Sequence, residues 1–288
     1  MTLLSTDGKQ SGATTAGTST GSYLVPRTLY STLIKTVRKN LVFRALAAKI
    51  IGPGSIPGSS IDINLDDTNT MDIRIIGEGS EIIIDQASQT SFNMKPQKWG
   101  VALRITREML EDSKWNLLTH NVKVAGKRFA EKETELIITA LDGANATTAG
   151  GAAISIANIT ESMYDLESND YVPTEILIGD EILQDLRNID TFVEANKVGN
   201  TEMLTRGFLG TIYGLNVVRF STNAAPSTTY AKYAYVIDRS EAYGIAIKRD
   251  ITMEQVVMPT YDMQGAVLTN RIAVALLRSK AVSKITTS

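Results

Sequence analysis

Three sets of residues in this sequence have the types needed for covalent or metal chemistry, and their spacing works against each. His120 is the single histidine and the obvious general base. On a helical wheel it falls opposite the apolar stripe running from Trp115 to Phe129, and nothing supplies the orienting carboxylate and nucleophile that a lone base needs. A surface or subunit-contact histidine is expected. Asp62, Asp66 and Asp67 gather three carboxylates, but the register lacks the glycine and terminal glutamate of a calcium loop, so a solvated acidic hairpin is expected instead. Glu131, Glu133 and Glu135 are two residues apart on a helix, do not share one face, and cannot form a carboxylate dyad. The stretch GPGSIPG from Gly52 has no GKS or GKT ending and does not lead from an apolar strand into a helix, so it reads as a turn rather than a phosphate loop. No catalytic, cofactor-binding or metal-ligating residue is assigned, and neither enzymatic activity nor a cofactor is expected.

Composition narrows the chemistry further. The 288 residues include no cysteine, which excludes disulfide scaffolds, thiolate zinc sites and cysteine nucleophiles. Lys and Arg number 29 against 31 Asp and Glu, a formal charge of -2, too even for a protein whose main affinity comes from neutralising phosphates. A hydrophobic content of 43% is enough for a real core. No window approaches the roughly 18 uncharged apolar residues of a bilayer span. The opening MTLLSTDGKQ lacks the basic stretch and apolar core of a secretory signal. No membrane partner is expected, and the chain is expected to begin its life in a cytoplasm.

The elements that carry these residues are read from periodicity. Residues 1–22 are dominated by Ser, Thr and Gly and should form a flexible arm. Leu29, Leu33, Val37 and Leu41 recur every four residues and predict a helix, with Pro26 tolerated in its first turn. Gly52-Pro53-Gly54 and Pro57-Gly58 end it. Ile61, Ile63 and Leu65 then alternate with Asp62, Asn64 and Asp66, as in a half-exposed strand. A return run from Phe92 to Thr106, where Val101, Leu103 and Ile105 alternate, completes a long β-hairpin. Next comes a helix capped by Thr106 or Ser113, with Trp115, Leu118, Val122, Ala125 and Phe129 as its apolar stripe. It should run about 40 Å and stop at Asp142-Gly143. Beyond the spacer ANATTAGGAA, EILIGD predicts a buried strand, EILQDLRNI a short helix and FVEANKVGNTEML an exposed loop. GFLGTIYGLNVVRF, AYVIDRSEAYGIAI and ITMEQVV predict strands, and AVLTNRIAVALLRSKAVSKITT a long apolar strand pattern with basic residues. The fold class is α+β.

Two of these elements are electrically lopsided. Arg27 to Lys49 contains six basic residues and no acid, whereas Asp62 to Asp85 has seven acids against Arg74, a formal charge of -6. Each repels itself and complements the other. Two long strands alone are marginally stable in water, so the hairpin needs something to lie on. Assembly contacts are therefore expected between Asp62, Asp66, Asp67, Asp72, Glu78 and Glu81 on one copy and Arg27, Lys35, Arg38 and Lys39 on another.

Residues 77 to 113 read GEGSEIIIDQASQTSFNMKPQKWGVALRITREMLEDS. This stretch resembles the hairpin tip and spine entry of the major capsid proteins of tailed double-stranded DNA viruses, which share the Hong Kong 97 fold. The matching positions are Glu78, Gly79, Glu81, Phe92, Lys95, Pro96, Lys98, Thr106, Glu108, Leu110, Asp112 and Ser113. ELIITALDG, VPTEILIGDEILQDLR and GTIYGLNVV are also similar to family counterparts, and the likeness covers roughly residues 24 to 280. The resemblance implies a flexible N-arm (1–26), an N-terminal helix (27–51), an extended β-hairpin or E-loop (52–98), a peripheral domain with the spine helix (99–149), an axial domain (150–250) and a return to the peripheral domain (251–288).

The same resemblance implies a major capsid protein that assembles into pentamers and hexamers of an icosahedral shell around double-stranded DNA. It would be located in the virion capsid, and in the host cytoplasm during assembly. Portal and scaffold proteins would be partners, and packaged DNA would be touched weakly and without sequence preference, with the basic helix as one candidate lining. A nanocompartment shell of the encapsulin type is the alternative reading, and a carboxylate-dependent hydrolase would need an acidic cluster in a closed pocket. Two departures from the family stand out. Only about 25 residues precede the first helix, so any scaffold is expected to be a separate chain. Gly52 to Phe92 contains no lysine, so the chemical cross-linking of some members is not expected.

Overall fold

The computed structural model describes residues 30–37, 41–67, 73–79, 81–82, 88–112, 117–144, 146–149, 151, 153–188, 210–221 and 225–287. The expected N-arm, the loop FVEANKVGNTEML, and Ser113 and Trp115 lie outside them. In chain order the helices are α1 (30–37), α2 (Arg107–Asp112), α3 (Leu117–Leu141), α4 (Ile156–Glu167) and α5 (Asp180–Asn188). The strands are β1 (Lys49–Ile51), β2 (Ile61–Asp67), β3 (Ser88–Met94), β4 (Gln97–Thr106), β5 (Ala146–Ala149), β6 (Glu175–Ile178), β7 (Thr211–Ile212), β8 (Leu215–Arg219), β9 (Tyr233–Ile237), β10 (Tyr243–Met258), β11 (Met263–Leu276) and β12 (Val282–Thr286). The chain groups into two units. One holds residues 1–42, 98–133 and 250–270, and the other holds 43–97, 134–249 and 271–288.

In the first unit the apolar spacings of α1 and α3 bring those helices together. Leu33 and Val37 bury against Val122, Ala125 and Phe129, with Ile251, Ala266 and Leu268 of the strands completing the core. Gly126 sits at the closest approach: a Cβ there would lie 3.1 Å from Leu33 Cδ1 and 3.3 Å from Val37 Cγ2, tighter than ordinary contact. Thr106 Oγ1 accepts from the Met109 amide at 3.3 Å, an N-cap for α2. The stretch expected as a helix capped by Thr106 or Ser113 contains a six-residue α2 and a 25-residue α3, and residues 113–116 between them lie outside the described residues. On β4, Ile105 is buried and Leu103 half-buried, but Val101, expected on the same face, is exposed.

In the second unit a six-stranded sheet has the order β5-β12-β9-β6-β8-β7. β6, from EILIGD, is wholly buried. Its core joins Ile176 and Ile178 to Ile159 and Leu166 of α4, Ile182 and Leu186 of α5, Val236 and Ile285. Ser155 caps α4 reciprocally with Asn158, satisfying orphan amides of the first turn. Residues 282–286, in the stretch assigned to a return to the peripheral domain, pair here as β12 with β9 and β5.

The expected helix over 27–51 is corrected at its C-terminal end. Phe43–Leu46 form a single 3-10 turn and Lys49–Ile51 a strand paired in parallel with β10, from Lys49 opposite Gly244 to Ile51 opposite Ala246. Tyr243 explains the change, because its hydroxyl donates to the Phe43 carbonyl at 2.6 Å and its own carbonyl accepts from the Ala48 amide at 2.9 Å. ITMEQVV is not a separate strand but the outer part of β10.

Candidate assembly surface

The hairpin's base is formed by β2 and β3 alone; the expected return strand from Phe92 to Thr106 is split, and its part from Gln97 is β4, which lies beside β11 in a four-stranded sheet of order β1-β10-β11-β4. β2 and β3 pair antiparallel from Ile61 opposite Met94 to Asp67 opposite Ser88. Ile63 and Met94 turn inward onto Ile51, Ile56, Ala246 and Ala275. Asp62 points outward, where it accepts from Asn93 Nδ2 at 2.5 Å. Asp66 and Asp67 close β2 opposite Gln89 and Ser88, and Asp72 lies outside the described residues. Beyond the strands, residues 73–79 have no regular structure, and the backbone turns at Glu78-Gly79, where Gly79 has a φ of 81°. Glu78 and Glu81 are exposed there, and so are Ile73, Ile75, Ile76 and Ile82. The resemblance placed a glycine and acid-rich hairpin tip here, but its apolar character was missed; the isoleucines flanking Gly77-Glu78-Gly79 were its visible signal.

On the basic side, Lys35 is exposed on α1, opposite the buried Leu33 and Val37. Arg27, Arg38 and Lys39 lie outside the described residues. Lys35 belongs to the first unit and Asp62, Glu78 and Glu81 to the second.

The first unit also carries a cleft of about 320 Å³ between β4 and α3, not foreseen from the sequence. Trp99, Val101, Val124 and Ala125 supply its apolar walls, and Arg128 and Lys132 its charged rim. Lys132 Nζ lies 4.9 Å over the Trp99 ring, a cation–π contact. Val101 and Val124 stay exposed although both face this cleft.

The residues first considered for chemistry are dispersed. His120 is exposed on α3. Glu131 pairs with Arg128 at 2.8 Å and Lys127 at 3.6 Å, while Glu133 is buried. Among the described residues no group of three or more His, Cys, Asp or Glu side chains is placed to hold a metal, and no helix is long and apolar enough to cross a membrane. A polar cluster in the second unit is closed on itself. Asp142 accepts from Lys284 Nζ at 2.5 Å and from the Tyr230 hydroxyl at 3.1 Å, and Lys284 Nζ also lies 4.0 Å over the Tyr233 ring. Burial, followed by the Asp142 charge, pushes the hydroxyls of Tyr230 and Tyr235 above the usual tyrosine range. This is a structural ion pair with aromatic walls.

Solved structures with similar folds come from Mycobacterium phage Bobi (16% identity, TM-score 0.64, covering 88% of this chain and 90% of that one) and Microbacterium phage Oxtober96 (14%, 0.63, 85% and 90%). A third is the capsid of an empty GTA particle (14%, 0.60, 86% and 90%). At these identities the likeness shows the fold, a Hong Kong 97-type capsid fold of mixed helix and sheet. No curated protein matches the sequence. Residues 21–287 match the phage capsid family over nearly the whole length, and the chain belongs to that family.

Proposed function

We propose that this chain is the major capsid protein of a tailed phage, assembling into pentamers and hexamers of an icosahedral shell around double-stranded DNA, and that it has no enzymatic role. The family match over residues 21–287 carries the reading. The hairpin supports it, because a two-stranded β2/β3 ladder ending in an exposed tip has too little core of its own to stay ordered without a neighbour. Within the shell, residues 52–98 act as the E-loop, 99–149 carry the spine, and 150–250 surround the capsomer centres. Hairpin acids Asp62, Asp66, Asp67, Asp72, Glu78 and Glu81 of one copy lie against Arg27, Lys35, Arg38 and Lys39 of another. A portal, a separate scaffold and weakly held DNA are the remaining partners, and assembly takes place in the host cytoplasm. Contacts that are individually weak add up through multivalency. Electron microscopy of the purified protein, with and without a scaffold partner, tests this: closed shells or capsomer rings are expected, and a monomer at every salt and protein concentration overturns it.

A further inference from the structure

Asp-Gly occurs twice in the chain, at residues 7–8 and 142–143, and Asn-Gly does not occur. Residues 7–8 lie outside the described residues. In such a pair the glycine amide nitrogen can attack the aspartate side-chain carbon, because no Cβ on the second residue obstructs the approach and glycine reaches backbone conformations closed to other residues. A bond forms between the Gly143 nitrogen and Asp142 Cγ, and the carboxyl oxygen leaves as water, taking the amide proton and the acid proton with it. Water then opens the resulting succinimide ring at either carbonyl. One opening returns aspartate. The other leaves isoaspartate, in which the chain runs through the side-chain carboxyl and gains one backbone carbon. Nothing but water is consumed, and no oxidant, reductant or cofactor enters.

The folded chain engages every group that this ring closure must free. The Gly143 amide donates to the Ala140 carbonyl at 3.2 Å. Asp142 Oδ1 accepts from Lys284 Nζ at 2.5 Å, and Oδ2 accepts from the Tyr230 hydroxyl at 3.1 Å. Lys284 is itself held, since its Nζ lies 4.0 Å over the Tyr233 ring and its strand β12 pairs with β5 on one side and β9 on the other. Water is not what the site lacks: Gly143 is exposed and the Asp142 side chain is 34% exposed. Nor does the fold demand a glycine. The φ of Gly143 is outside the left-handed region, and a Cβ there would lie 3.3 Å from the Ala140 carbonyl oxygen and 3.4 Å from Leu276 Cδ2, a contact relieved by a small shift.

We propose that Asp142-Gly143 is a latent site of isoaspartate formation, and that Tyr230 and Lys284 keep it closed in the folded chain by holding both carboxylate oxygens. This does not rest on the reading of the chain as a shell protein. It is also distinct from the stability that the ion pair supplies, because it concerns the rate of covalent damage while the chain is folded. Isomerisation takes the carboxylate off Lys284 and lengthens the link between α3 and β5, whose Ala146 pairs with Ser283 of β12, so one damaged bond loosens the strand pairing that had protected it.

The test stores the whole folded chain in neutral buffer for several weeks and reads isoaspartate at residue 142 by peptide mapping and enzymatic methylation of isoaspartyl carboxylates. A synthetic peptide of residues 138–148, in which neither partner is present, gives the unprotected rate. The parent should isomerise at least tenfold more slowly than the peptide. Lys284→Met should isomerise at least fivefold faster than the parent with its helical circular dichroism retained, and Tyr230→Phe should fall between the two. Gly143→Ala should abolish the signal, and a signal that persists in it overturns the proposal. So does a parent as fast as the peptide, or a folded Lys284→Met no faster than the parent, which assigns the protection to the helix end alone. Should Lys284→Met fail to fold, Tyr230→Phe decides, since it keeps the ring and removes one donor: a rate equal to the parent's overturns the proposal.

Discussion

Asp142 is the residue on which most local electrostatics of the second unit converges, since Lys284 and Tyr230 both donate to it. Asp142→Asn keeps the shape and removes the charge, leaving the largely covered Lys284 ammonium without its counterion. A loss of about 1–2 kcal/mol is expected, below the value for a fully buried pair because Asp142 is about a third exposed. A thermal melt a few degrees lower checks this. The same cluster sets an alkaline limit. Tyr235 and Tyr230 keep their protons in the native state above the pH, near 10, at which an unfolded chain releases them. Their contribution is therefore full below about pH 10 and is lost progressively as pH rises beyond it. Urea midpoints at pH 8 and pH 11 should differ more for the parent than for Tyr235→Phe. None of this was legible in the sequence, because Asp142 and Lys284 are far apart along the chain. The position of His120 was legible, since wheel geometry alone put it on the exposed face, and His120→Ala should leave particle yield unchanged.

Elements were legible where one face repeats and illegible where a partner overrides the pattern. The alternation Ile61-Ile63-Leu65 gave β2, and the stripe of Leu118, Val122, Ala125 and Phe129 gave α3. The end of α1 was hidden, because residues 43–51 follow the hydrogen bonds of Tyr243 and the pairing with β10 rather than their own propensity. The cleft was hidden too, since its walls come from β4 and α3 and only packing sets the gap between them. The close approach of α1 to α3 makes Gly126→Leu costly. Displacing Leu33 and Val37 should lower stability by about 1–3 kcal/mol, measurable by urea unfolding. The charged faces call for a reversal test on empty shells. Changing Asp62, Asp66 and Asp67 to Lys should impair assembly, and changing Lys35, Arg38 and Lys39 to Glu in the same chain should partly restore it. Each exposed pair is worth about 0–1 kcal/mol, so the effect is cumulative and should fade near 1 M salt, where the screening length is about 3 Å. Normal assembly of the acidic-to-basic mutant, or no rescue, would count against that pairing.

At the scale of the whole molecule, order and spacing carried what no single motif did, since arm, hairpin, spine and α+β body are each ordinary alone. The lysine-free stretch from Gly52 to Phe92 predicts that particles boiled in detergent release a single band at 31.3 kDa; a ladder surviving denaturation would direct attention to Lys95 and Lys98. The place of β12 has a consequence of another kind. In the six-stranded sheet β5 touches only β12, and β12 in turn touches β9, so residues 146–149 have no place in the sheet until residues 282–286 have been synthesised. Such long-range pairing is slow to form. A nascent chain whose residues 282–286 have not yet emerged from the ribosome is therefore expected to hold an open sheet, with β5 joining only after they emerge. A chain cut before Val282 should remain protease-sensitive across residues 142–150, however much of the hairpin and spine it contains.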